Sequence, residues 1–175
     1  MNYLYSLDYL NKNEKQLKLL VLIYSIIISL FAIGIVTVIV IYANEPFGTT
    51  LRTPLIWILI TLTAVATIFS FFYFSLILNP VKNYVKFLKY TVFGTRYKVD
   101  LTVLDVFYQP QNYRGLDFYR LLTLEWSDAK NDYVEHTVLV DANVVLEGVN
   151  KGDILTCELA SSCLVGYSKG NYEKK

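Results

Sequence analysis

Two long stretches without a charged side chain constrain this chain more than any other feature. The first runs from Leu17 to Tyr42, with no charge between Lys18 and Glu45. The second runs from Pro54 to Leu78, between Arg52 and Lys82. A helix needs about 20 apolar residues to cross roughly 30 Å of hydrocarbon. A small soluble domain has no interior large enough to hide two helices that are apolar all round. The sequence therefore predicts a transmembrane hairpin: helix one at residues 17–42, an external loop at 43–53, helix two at 54–78. The first run is too long for a cleaved signal peptide and reads as an uncleaved anchor. Pro46 and Gly48 punctuate the loop as a tight turn, and Pro54 suits the first turn of the helix that follows.

Lysine and arginine set the expected orientation. Lys12, Lys15 and Lys18 precede the first span, and Lys82, Lys86, Lys89, Arg96 and Lys98 follow the second. The loop has only Arg52. The positive-inside rule then predicts a multi-pass plasma-membrane protein with both termini cytoplasmic. Ion pathways and proton relays usually need charge within the membrane, and these spans have none. Ser25, Ser29 and Ala32 in the first span, with Ala64, Thr67 and Ser70 in the second, are small enough for the helices to pack through them.

Asn79-Pro80 predicts an end or a kink in the second helix. Residues 79–93 then read as a basic amphipathic juxtamembrane linker. Lys82, Lys86 and Lys89 recur at helical spacing, opposite Val81, Val85, Leu88 and Val92. Two readings stand. In one, the three lysines bind anionic lipid headgroups and the apolar face meets the acyl boundary. In the other, the lysines only enforce topology and the helix packs on the domain that follows. Residues 1–16 are a cytoplasmic segment whose Leu4, Leu7 and Leu10 suggest a short interfacial helix.

From Gly94 the periodicity changes to two. Tyr97, Val99, Leu101 and Val103 alternate with polar residues, as do Val134, His136, Val138 and Val140. Phe118–Trp126 is a denser, central strand, and Asp153–Leu159 and Cys163–Ser168 are two more. Leu104-Asp105-Val106 breaks the alternation as a bulge would. Residues 94–169 thus form a cytoplasmic β domain, a small antiparallel barrel of OB-like or SH3-like type, and residues 170–175 a disordered tail. The predicted fold class is an α+β membrane protein, a two-helix hairpin followed by this barrel. The layout resembles that of small bacterial membrane proteins with two spans and a compact β-barrel tail.

Catalytic motifs are missing: there is no Walker loop, GxGxxG, GxSxG or HExxH. His136 falls on the apolar face of a strand and reads as structural. Cys157 and Cys163 are too few for a disulfide framework and read as core residues, free thiols in a reducing compartment. Asp105, Asp117, Glu125, Asp128 and Asp132 read as a solvated rim, with Asp128 and Asp132 a weak attractor for a cation at best. Tyr108, Tyr113, Tyr119, Tyr133 and Tyr167 are aromatics that a nucleic-acid surface would use. However, the chain from Arg96 onward has 9 basic and 12 acidic residues, the wrong balance for that partner. The expectation is a non-enzymatic membrane protein that presents its β domain to a protein partner or a second copy. Its partners would include the bilayer and anionic headgroups, with no nucleic acid, small-molecule substrate, metal or cofactor. The alternatives are a subunit of an oligomeric channel or transporter, and a membrane-bound enzyme using His136 or a cysteine.

Overall fold

The computed structural model describes residues 1–113, 115–127, 129–146 and 148–170. Two compact units result: Glu14–Lys82, and Met1–Asn13 together with the chain from Asn83 onward.

The first unit is a helix pair. Helix α1 (Leu7–Asn44) starts where the Ser6 hydroxyl accepts the Tyr9 amide at 3.1 Å, an N-cap that satisfies an otherwise orphaned donor. Helix α2 spans Arg52–Phe72. Both helices are long and apolar enough to cross a membrane. Aromatic rings dominate the contact between them. Tyr24 packs against Phe69, Tyr73 and Phe74, with ring centres 4.9–6.4 Å apart. Its hydroxyl donates to Ser70 Oγ at 3.1 Å, and the Tyr73 hydroxyl donates to the Leu20 carbonyl at 2.9 Å. Of the small residues expected at this contact, Ser70 takes part. Ser25, Ser29, Ala32, Ala64 and Thr67 are exposed instead. Their place is taken by Gly34, where a Cβ would lie 3.2 Å from Leu62.

Five hydroxyls on the exposed faces bond to their own helix. Ser25, Ser29, Thr37, Thr63 and Thr67 each donate to the carbonyl four residues back, at 2.7–2.9 Å. In the loop, the Arg52 guanidinium donates to the Glu45 carbonyl and lies 3.9 Å from the Phe47 ring centre. One cation thereby closes the turn.

Helix α2 does not stop at Asn79-Pro80. A π-helical turn over Tyr73–Leu78 leads straight into α3, Asn79–Phe93. The Asn79 amide reaches Phe74, five residues back. Pro80 lacks an N–H and crowds the carbonyl four residues back. One widened turn absorbs that defect without breaking the helix.

The second unit is a closed barrel with one added strand. Strands β2 (Tyr97–Tyr113), β3 (Leu116–Ser127) and β4 (Asp132–Asp141) form a meander. β5 (Ile154–Ala160) and β6 (Cys163–Lys169) form a hairpin. The barrel order is β2-β3-β4-β6-β5, closing β5 back on β2. Closure runs through a short parallel contact, Leu139 opposite Cys163. β2 and β3 slip register between Val103 and Asp105, the bulge that the broken alternation predicted. Leu101, Val103, Leu121, Val138, Val140, Leu155, Cys157, Leu159 and Leu164 fill the interior, all at most 1% exposed.

The N-terminal residues belong to this unit, with a strand before the helix that starts at Leu7. Strand β1 (Asn2–Tyr3) pairs antiparallel with Gly166 and Tyr167 of β6, where β4 leaves that edge open. Gly166 allows the approach: a Cβ there would lie 3.1 Å from the Tyr3 ring. Tyr5 meets Phe87 of α3 edge-on at 5.6 Å. The Tyr9 and Tyr84 hydroxyls lie 3.2 Å apart, and Tyr84 donates to Asp141 Oδ2 at 2.8 Å. The other Asp141 oxygen accepts the Asn143 backbone and side-chain amides, both at 2.9 Å. Asp141 is 2% exposed, so these donors stand in for water. Burial first, then the Asp141 charge, raises the Tyr5 pKa. Burial, then the bonds to Tyr9 and Asp141, raises that of Tyr84. Both phenols therefore stay protonated, Tyr84 as a donor to Asp141 and Tyr5 with a buried hydroxyl that meets no partner among the described residues.

The disordered tail expected at residues 170–175 lies, past Gly170, outside the described residues. Replacing Asp141 with Ala leaves Tyr84 and Asn143 donors unmet and should cost about 2–4 kcal/mol, against about 1 kcal/mol for Tyr84→Phe. Denaturant titration of the full chain in detergent checks this, with the exposed Thr137→Ala expected to be near neutral.

Candidate functional site

A concavity of the barrel unit lies where α3 rests on β3 and β4. Leu88 is fully buried and Val85 is 4% exposed. Val85 and Leu88 of this helix's apolar face are therefore taken up by protein, while Val81 and Val92 are half-buried. Lys82, Lys86 and Lys89 are all exposed. Phe87 reaches down to Phe118 of β3, edge-on at 5.3 Å.

Beside that contact lies a groove of about 570 Å³, within the usual size range of small-ligand sites. The helix lines it with Asn83, Lys86, Phe87 and Tyr90, the β2–β3 turn with Tyr113 and Leu116, and the β5–β6 turn with Ser161, Ser162 and Cys163. Phe118 and Leu139 form its floor. Leu139 interrupts the polar face of its strand in the sequence. The groove explains it, since the residue faces the underside of a helix rather than water. Ser161 adopts φ 57°, a left-handed conformation unusual for a non-glycine residue.

The two cysteines diverge. Cys157 is a fully buried core residue, as expected, whereas Cys163 is partly exposed and lines the groove. Both are free. Burial, with nearby acids second, pushes the Cys157 thiol up to about 12 and the Cys163 thiol up to about 11. Neither is an activated nucleophile at neutral pH.

His136 lies within β4, opposite Thr123 of β3. Its Nδ1 lies 3.7 Å from Glu125 Oε2, too long for a hydrogen bond. The neighbouring Thr123 hydroxyl donates to the His136 backbone carbonyl at 3.0 Å, so its proton is not directed at the imidazole. The rim acids serve turns: Asp105 accepts the Val106 amide, Asp117 accepts Asn112, and Asp132 accepts the Tyr133 amide. Asp128 lies outside the described residues. Among the described residues, no three His, Cys, Asp or Glu side chains converge as metal ligands would. The five tyrosines do not form one platform either. Tyr167 is core, Tyr113 lines the groove, Tyr108 stacks edge-on with Tyr119, and Tyr133 with Trp126.

The groove was not legible in the sequence. Its lining comes from four separated segments, and none of them carries a motif. The one available signal was Leu139 out of phase with its strand.

Thiol labelling tests this geometry. N-ethylmaleimide should modify Cys163 well before Cys157 in the folded chain. The Cys163 rate should climb about tenfold per pH unit from pH 8 to 10, as expected below a raised thiol pKa. Peptide mass spectrometry resolves the two sites.

Comparison with protein-family models, with curated proteins and with solved structures found no match, so the geometry above is the ground for any functional reading.

Proposed function

We propose that the chain is an integral membrane protein whose helix pair crosses the bilayer and whose barrel serves protein–protein interaction at the inner surface. One observation carries the membrane part. Large apolar side chains stand exposed around both helices: Leu30 and Ile33 are each 64% exposed and Phe71 is 69%. A contiguous apolar surface of this kind is unfavourable in water and favourable in lipid. The intrahelical hydroxyl bonds suit the same solvent, because hydrocarbon supplies no partner of its own. Lysine placement supports cytoplasmic termini. The exposed Lys82, Lys86 and Lys89 then face anionic headgroups, each contributing about 1 kcal/mol near such a surface.

The barrel's strand order is that of an OB-like rather than an SH3-like domain. OB-like barrels bind oligonucleotides or oligosaccharides on the face of their second and third strands, between two flanking loops. Here α3 lies on that face, which argues against an extended strand of nucleic acid as ligand.

Two other surfaces favour a protein partner. β4 pairs with β3 along its length but with β6 only at Leu139. The stretch Asp132–Val138 therefore offers an edge to which an extended segment can add. Beside it, Trp126 and Tyr133 pair edge-on at 5.1 Å and are 47% and 58% exposed. Such aromatics often anchor interfaces.

Carbonate extraction should leave the protein in the membrane pellet. In a Cys163→Ser background, Gly48→Cys should react with an impermeant maleimide added to intact cells, and Lys151→Cys only after lysis. Release by carbonate, or labelling of Lys151→Cys from outside, would overturn the proposal.

A further inference from the structure

We infer that the groove between α3 and the barrel binds a phosphate-ester headgroup, with Lys86 as its cation and the Ser161–Ser162 turn as its hydrogen-bond donor. Charge is the first argument. Among the described residues, Lys86 is the one charged side chain lining the groove, and no carboxylate joins it. Among the described residues it has no salt-bridge partner. The chain that follows the helix is acidic in balance, with 9 basic against 12 acidic residues from Arg96 onward. A cation held apart from that surplus of acids favours an anionic ligand.

The donor pattern is the second argument. At the β5–β6 turn the Ser161 carbonyl already accepts the Tyr97 hydroxyl at 2.8 Å, and the Ser162 carbonyl accepts the Leu139 amide at 2.8 Å. The turn's backbone acceptors are thus already occupied. The Ser161 and Ser162 hydroxyls donate to no protein acceptor among the described residues, which leaves them for a ligand oxygen. Asn83 adds an amide from the helix side. Lysine and hydroxyls around a small concavity are a common way to hold phosphate oxygens.

Shape is the third. Phe87, Tyr90 and Tyr113 wall the groove, and Phe118 and Leu139 floor it. The volume of about 570 Å³ suits one headgroup rather than a polymer. A phospholipid and a soluble phosphate ester present the same chemistry. The lipid as source rests on the membrane reading above, since Lys86 follows the last residue of the second apolar run by only eight positions.

Cys163 provides a reporter inside the groove. The full chain in mild detergent is alkylated with N-ethylmaleimide at pH 8.5, alone or with phosphatidylglycerol, phosphatidylcholine, glycerol phosphate or a short oligothymidylate. Phosphatidylglycerol should slow labelling of Cys163 several-fold. Lys86→Gln should weaken that protection at least about tenfold in ligand concentration, the usual scale for losing a charge-assisted bond. Lys82→Gln, on the same lysine stripe but outside the groove, should retain it. Equal protection by glycerol phosphate would support the site with a soluble ester as source, and would hold even if carbonate released the protein. Absence of protection by either ester, equal loss in both lysine variants, or protection by the oligothymidylate alone would overturn the inference. Circular dichroism of both variants, whose substitutions are on exposed side chains, checks that the fold is intact.

Discussion

Closure of the barrel at the short contact between β4 and β6 is the constraint on which the rest of its unit depends. One parallel step, Leu139 opposite Cys163, sets β6 between β4 and β5. The β5–β6 turn comes to rest beside β4, which creates one wall of the groove. The rest of the β6 edge stays open, and β1 fills it. An open edge invites pairing with other chains. This protein covers it with its own first residues. Gly166 makes that possible, because any side chain there would meet Tyr3.

Burying a carboxylate is the cost of fastening helices to the barrel by polar contacts. Asp141 ends β4 and collects donors from Tyr84 and Asn143, and Tyr9 extends the chain of hydroxyls. Removing any one partner leaves buried groups unmet, which costs more than the bond itself contributes. The first turn of α1 and the length of α3 in this unit are thereby fixed to one end of one strand. That arrangement places Phe87 on Phe118 and leaves the groove beside them.

The helix pair solves a different problem. Its outward faces are apolar, and Ser25, Ser29, Thr37, Thr63, Thr67 and Ser70 donate to their own helix backbone, which meets much of their polar surface. Ring packing around Tyr24 replaces the small-residue contact that the sequence suggested. Large rings bury more area per contact than serine or alanine, and two tyrosine hydroxyls gain partners across the pair.

Periodicity and charge spacing by themselves determined the two apolar helices, the five barrel strands and the bulge near Leu104. Each of these follows from local alternation along the chain. Three outcomes lay beyond that reach. The N-terminal residues join the sheet, Pro80 is absorbed rather than ending its helix, and the apolar face of α3 turns to the barrel. Each depends on a partner distant in sequence or on the neighbouring turn: an open strand edge, a π-helical turn that takes up a missing bond, the surface of β3 and β4. The groove belongs with them. Its residues come from one helix, two turns and the strands β3 and β4, and only the tertiary structure brings Lys86 and Ser161 to one place, because pattern along a chain carries no information about which unpartnered surfaces will meet.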